Sequence, residues 1–155
     1  MISFRVKSHR FHLRAGAVAI EDGHVLLHRL EGDTFWALPG GRVEAGEESC
    51  ETLIREFKEE LDLTVVCGEL LGTGENFFEY GGEPHHEIGM YLSVEFPAGS
   101  LLKDKTRTHC GIEGERRLEF RWFPLGSLLE LDFRPKALRD SLHKGRFPSH
   151  FVQRG

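Results

Sequence analysis

GRVEAGEESCETLIREFKEELDL, residues 41–63, carries two patterns at once. A helix turns about 100° per residue. With Glu56 set at zero, Glu60 lies near 40° and Glu59 near 300°, so three carboxylates share an arc of about 100°. Cys50, Ile54, Phe57 and Leu61 fall between about 100° and 160°, a narrow apolar stripe. The periodicity predicts an amphipathic helix from about Glu48 to Leu61, with one face packed on a core and another concentrating negative charge. Clustered carboxylates repel one another unless a cation or protons neutralise them. Oxygen-only ligands suit a hard cation, Mg²⁺ first and Mn²⁺ second.

A solvated acidic face is the ordinary alternative for such a helix. It accounts for Glu56, Glu59 and Glu60 taken alone. It does not account for Gly40-Gly41, Glu47 and Arg55 in the same register. Glycines let the backbone approach a ligand closely. Arg55 cannot bind a metal. It can pair with Glu47 across the loop–helix junction and hold the neighbouring carboxylates, or pair on the surface with Glu51 or Glu59 at helical spacing.

Gly41, Glu47, Arg55, Glu56, Glu59 and Glu60, with apolar Phe57 and Leu63, match G-x5-E-x7-R-E-U-x-E-E-x-G-U, where U is apolar. At a background of about 7% per residue, six matches multiply to about 10⁻⁷ by chance. The stretch resembles the Nudix box, and Trp36-Ala37-Leu38-Pro39-Gly40-Gly41 resembles the family's approach to it. Asp62 departs from the pattern, standing where the second glycine ends the helix. Left-handed geometry there favours Gly or Asn, and Asp tolerates it better than most residues. A small stability cost and no loss of chemistry are expected.

The resemblance implies a single Nudix domain over residues 1–155, an α/β fold built as an α/β/α sandwich with a mixed β-sheet. It implies a divalent-metal-dependent hydrolase that cleaves a pyrophosphate linkage in a nucleoside diphosphate joined to another group. Carried over, Glu56 and Glu60 are the primary metal ligands, Glu59 a further ligand or water holder, and Gly40 a ligand through its carbonyl, with Mg²⁺ expected and Mn²⁺ as its substitute. Arg55 and Glu47 belong with the catalytic set, and Gly41, Arg42 and Tyr80 with substrate binding. For a general base outside the box, Glu115 comes first and Glu119 second, with Glu59 of the box as the remaining choice.

Nucleoside triphosphates, dinucleoside polyphosphates and nucleotide sugars all stay open as substrates. Glu79 stands where ADP-ribose hydrolases carry a proline, and Tyr80 lies near where dinucleoside-polyphosphate hydrolases tend to place a tyrosine. The alternative class is a non-catalytic nucleotide-binding Nudix module; such modules commonly lose box carboxylates, which are intact here. Isopentenyl diphosphate isomerases share the fold but need a catalytic cysteine motif that surrounds none of Cys50, Cys67 and Cys110.

The chain has 155 residues, enough for one domain with a real core. A net charge of −5 without a long basic stripe argues against a nucleic-acid duplex as partner and leaves a small-molecule nucleotide. A homodimer stays open. No apolar run is long enough to span a membrane, and the basic N-terminus lacks the apolar core of a signal peptide. The three cysteines are odd in number, widely spaced and without a CxxC pair. Free, mostly buried thiols in a reducing cytoplasm are the expectation.

Alternation and turn residues predict strands at 13–20 and 25–30 around Glu21-Asp22-Gly23, a short strand at 35–38, and another at 63–71. Strands at 76–80 and 88–96 form a hairpin around Gly81-Gly82, and a further strand runs over 118–123. A C-terminal helix covers 135–143. Residues 97–114 read as an irregular, mobile loop. His85 and His86 read as exposed hairpin residues, with a phosphate or base contact as the lesser alternative. Phe77, Phe78 and Tyr80 either stack on a base or pack the core.

Overall fold

The computed structural model describes residues 1–155. Its strands are β1 (Ser3–Val6), β2 (His9–Val18), β3 (Ile20–Glu21), β4 (His24–Leu30), β5 (Gly40–Arg42), β6 (Val66–Tyr80), β7 (Glu83–Glu95), β8 (His109–Glu113), β9 (Arg116–Pro124) and β10 (His150–Arg154). Its α-helices are α1 (Ser49–Leu61) and α2 (Lys136–His143), joined by two short 3₁₀ turns at Leu101–Lys103 and Leu125–Glu130. The expected mixed sheet is present, and a second, antiparallel sheet stands beside it. A six-stranded mixed sheet runs β1-β2-β7-β6-β10 with β5 beside β2, and a four-stranded antiparallel sheet runs β3-β4-β9-β8. The chain crosses from one to the other at Ala19, which breaks the single strand expected over 13–20.

Strand alternation divides the core in two. Successive side chains point to opposite faces. Ala15, Ala17, Leu26, Leu118, Phe120 and Trp122 face Leu53 and Phe57 of α1, while Val18, Val25 and Leu27 face Leu138 and Leu142 of α2. Helices therefore cover both sides of the sheets, as the α/β/α reading requires. Within α1, Leu53 and Phe57 are fully buried whereas Ile54 is 41% exposed. The buried face is thus centred closer to the carboxylates than the apolar stripe indicated, and Glu60 is drawn in with it, only 6% exposed. Asp62 ends the helix in the left-handed region (φ 51°), with its N–H donating to the Lys58 carbonyl and its carboxylate paired with Lys58 at 2.7 Å.

Several local expectations are corrected. Residues 35–38 form only isolated bridges, Ala37 to His28 and Trp36 to Phe133. Residues 63–65 lie outside any strand, and the rest of the segment expected at 63–71 joins 76–80 in one long strand, β6, whose register shifts between Cys67 and Gly72. The supposed loop at 97–114 contains a 3₁₀ turn and β8. Strands β1 and β10 were not anticipated. Cys50 and Cys67 are not free thiols: α1 lies on the start of β6 and the two form a disulfide, leaving Cys110 free and exposed. No helix is long and apolar enough to cross a membrane.

Candidate active site

The loop from β5 to α1 is built by the box residues themselves. β5 pairs antiparallel with β2, Gly41 opposite Ala15 and Arg42 opposite Arg14. A Cβ on Gly41 would lie 2.6 and 2.8 Å from the two carboxylate oxygens of Glu56, so the missing side chain is the space that the Glu56 carboxylate fills. A Cβ on Gly40 would run into the Ala15 carbonyl oxygen, so this glycine serves the backbone approach of β5 to β2.

Arg55 joins the loop to the helix. Its Nε and Nη2 donate to the two oxygens of Glu47 at 2.8 and 3.0 Å, its Nη1 to Glu56 at 2.8 Å and to Glu59 at 3.4 Å, and its Nη2 also to the Arg42 carbonyl at 3.2 Å. The fork matches a carboxylate with two parallel bonds. Thr52 Oγ1 adds a 2.6 Å bond to Glu47. The Arg55 hydrogen bonds, ahead of that of Thr52, hold the Glu47 carboxyl down to about 2.

Glu60 is the opposite case. Burial first, then its hydrogen bond with Glu56 and the charges of Glu56 and Glu113, push its pKa far above the usual carboxylate range. Burial beside a second acid therefore favours the protonated form of Glu60 when no cation neutralises the pair. The Glu60 Oε2 is buried without a hydrogen-bond partner. Glu59 is well exposed, its side chain at 59%. As folded, no three His, Cys, Asp or Glu side chains converge to grip one ion, because Arg55 draws Glu56 and Glu59 toward itself while Glu60 stays tucked into the core.

These acids open into a cavity of about 1550 Å³. Gly40, Gly41, Arg42, Arg55 and Tyr80 line it along with the three helix glutamates. Tyr80 donates to Asp33 at 3.2 Å and meets the Phe35 ring edge-on, with centroids 6.0 Å apart. Glu115 does not line the cavity: it is exposed at the tip of the β8–β9 hairpin, whose turn carries it outward. Glu113, at the end of β8, lines the cavity instead. β8 passes close to α1 because Gly111 faces the Glu60 carbonyl, where a Cβ would lie 2.8 Å away. Glu119 also lies outside the cavity, its carboxylate bound to Arg29 at 3.0 Å.

A polar wall went unread in the sequence. His12 Nε2 and Glu87 Oε2 are 2.7 Å apart and buried, on paired positions of β2 and β7. Burial would raise the Glu87 pKa, but the His12 hydrogen bond and the Arg14 charge more than offset it and hold the group below its ordinary value. His85 is buried against Phe78, not exposed on the hairpin. The signal was present: His12 and Arg14 occupy alternate positions in a strand whose other face is Leu13, Ala15 and Ala17, so this polar face had to meet a cavity or solvent.

The fold and this constellation define a member of the Nudix family, and the NUDIX domain profile matches residues 10–143. Among curated relatives, the ADP-ribose pyrophosphatase of Methanocaldococcus jannaschii is 31% identical over 147 residues, covering 87% of this chain and 78% of that protein. The RNA pyrophosphohydrolase of Halorhodospira halophila is 40% identical over 63 residues, so 41% of this chain spans only 35% of that relative's length. Among solved structures, the MutT protein from Methanosarcina mazei Go1 aligns with a TM-score of 0.63 at 23% identity, over 90% of this chain and 95% of that one.

Proposed function

We propose that the protein is a divalent-cation-dependent pyrophosphohydrolase acting on a nucleoside diphosphate linked to a further group. The observation that carries this reading is the buried Glu60 beside Glu56 and Glu59 on one helix, with a Glu60 oxygen left unpartnered and burial favouring its protonated form. A hard cation suits that all-oxygen set and would take the place of the proton. Glu56, Glu60, Glu59 and the Gly40 carbonyl would hold it, Mg²⁺ by preference and Mn²⁺ as substitute. When bound, such an ion neutralises a pyrophosphate and lowers the pKa of water.

The chain's own side chains supply the rest. Arg55 orients Glu56 and anchors it to Glu47. Arg14, Arg29, Arg42, Arg116 and Arg134 line the cavity and draw in a polyanion. Phe35 and Tyr80 offer aromatic faces to a base. Ligand pockets commonly occupy about 300–1,000 Å³, so this cavity has room for a group beyond the nucleoside diphosphate. Glu113, which lines the cavity, would accept the proton of the attacking water, with Glu59 as the box alternative. As water oxygen bonds to one phosphorus, the bridging P–O bond breaks and two phosphate-bearing fragments leave.

From the relatives' names, two substrate classes come to this chain: ADP-ribose and RNA. A panel of nucleoside triphosphates, dinucleoside polyphosphates, ADP-ribose and 5′-triphosphorylated oligoribonucleotide, with Mg²⁺ and product masses, tests the reading. Cation-dependent release of two phosphate-bearing products is expected from at least one class. Tight binding without turnover of any would assign the chain to the nucleotide-binding, non-catalytic class.

A further inference from the structure

We propose that the α1-side face of the six-stranded sheet, at its β1 end, binds the bases of single-stranded RNA. One cross-strand row carries the inference. Phe4 of β1 is registered with Phe11 of β2, Phe11 with His86 of β7, His86 with Phe77 of β6, and Phe77 with Arg154 of β10. The ring centroids follow at 5.3, 5.2 and 4.4 Å, and the Arg154 guanidinium closes the row 4.1 Å above the Phe77 ring. Because registered positions share a face, the row is a continuous aromatic surface across five strands. It is open at its β1 end, where Phe4 is 49% exposed, and half-buried at Phe11, His86 and Phe77.

Aromatic rings on a sheet surface are a platform on which unpaired bases stack, and an arginine over a ring extends it. The charge around the rings favours a polyanion. The shallow groove over the row is lined by Phe4, Val6, Lys7, Ser8, His9, Phe11, Phe77, His86 and Arg154, with no acidic residue among them. A second copy docked by two-fold symmetry would set Lys7 and Arg154 against the same groove's like charges. His9 and Phe77 touch both this groove and the main cavity, whose sheet residues His12, Arg14, His85 and Glu87 lie on the opposite face. Ser8 Oγ, 3.2 Å from His9 Nδ1, offers a polar contact for the 2′-hydroxyl that distinguishes RNA. That the strand is also a substrate rests on the pyrophosphohydrolase reading; the platform itself does not.

The test is fluorescence anisotropy of a labelled single-stranded oligoribonucleotide of about eight nucleotides, in chelator so that hydrolysis plays no part. Phe4→Ala removes an exposed ring, and Phe11→Leu removes a ring while keeping apolar bulk. Each is expected to weaken binding about tenfold, the loss of roughly one stacked base. Lys7→Ala should flatten the salt dependence by about 0.7 in log–log slope. Hydrolysis of a mononucleotide substrate should be unchanged by Phe4→Ala and Phe11→Leu. Absence of binding to the wild type, or unchanged affinity in both ring variants, overturns the proposal. Equal affinity for the deoxy strand overturns the RNA assignment. A dimer lost on Phe4→Ala, with no RNA binding, gives the face to a second copy instead. RNA binding without turnover of any substrate would sink the hydrolase reading and leave the platform standing.

Discussion

Gly41→Ala separates a role in chemistry from a role in folding. Gly41 is not among the glycines with positive φ, so alanine is allowed by its backbone. The new Cβ would meet Glu56 Cδ and stand 2.6 Å from Oε1, against 3.4 Å for ordinary contact, so the carboxylate must retreat by about 1 Å. It lies at the end of a flexible side chain, and the fold yields there at small cost. The chemistry does not, because a misplacement of about 1 Å can cost about 10²-fold in rate. We expect kcat to fall about a hundredfold at saturating Mg²⁺, with a thermal midpoint close to wild type. Gly40→Ala provides the contrast: its Cβ meets the Ala15 carbonyl of the neighbouring strand, a backbone atom that cannot give way, so it should lower the midpoint clearly. Steady-state kinetics beside thermal unfolding decides the matter. Gly41→Ala turnover within about threefold of wild type, or a loss that tracks unfolding, would refute the reasoning.

Arg55→Ala should reduce metal affinity or turnover by about 10- to 100-fold, because it releases Glu47 and Glu56 together; an unchanged Mg²⁺ titration would make the arginine a surface feature only. Glu113→Gln should lower kcat by about 10²–10⁴-fold with little change in KM, while Glu115→Gln stays near wild type; the reverse ranking would restore the hairpin tip as the base. His28 should make stability depend on pH. Burial first, then Arg14, holds its pKa at about 3 against 6.5 when unfolded, so the unfolded chain binds the extra proton and stability is lost as pH falls from 6.5 toward 3. Urea unfolding at about pH 7.5 and about pH 5 should show the wild type losing roughly 2 kcal/mol more than His28→Gln; equal losses would mean that His28 is not held neutral.

The helix of residues 49–61 was legible because a 3.6-residue period and a run of acids in register leave little freedom. Its orientation was read less well. Ile54 has the hydropathy of a core residue, yet the packing direction is set by Leu53 and Phe57, and this also explains why Glu60 is buried. The hairpin turns at Asp22-Gly23 and Gly81-Gly82 announced themselves by residue type, and all four residues have positive φ. Long-range pairing did not. β10 takes its only strand partner, β6, from far along the chain, while β1 and β8 are short arms of hairpins with β2 and β9 whose few residues do not stand out from loop. The Cys50–Cys67 bond was missed for the same reason, since spacing alone does not say that α1 lies on β6. Glu113 and Glu115 differ by two positions in sequence, but the turn at Gly114-Glu115 breaks the strand alternation that would have put both on one face.

The most direct test is turnover of the best panel substrate, with and without Mg²⁺, by the wild type, Glu56→Gln and Glu60→Gln. Each variant keeps the side chain's shape and lessens the crowding of acidic groups at a buried site, so folding should be retained. The account predicts cation-dependent hydrolysis by the wild type and a loss of at least about 10²-fold in both variants at saturating Mg²⁺. Hydrolysis that proceeds without a divalent cation, or that survives both substitutions at near wild-type rate, would contradict it.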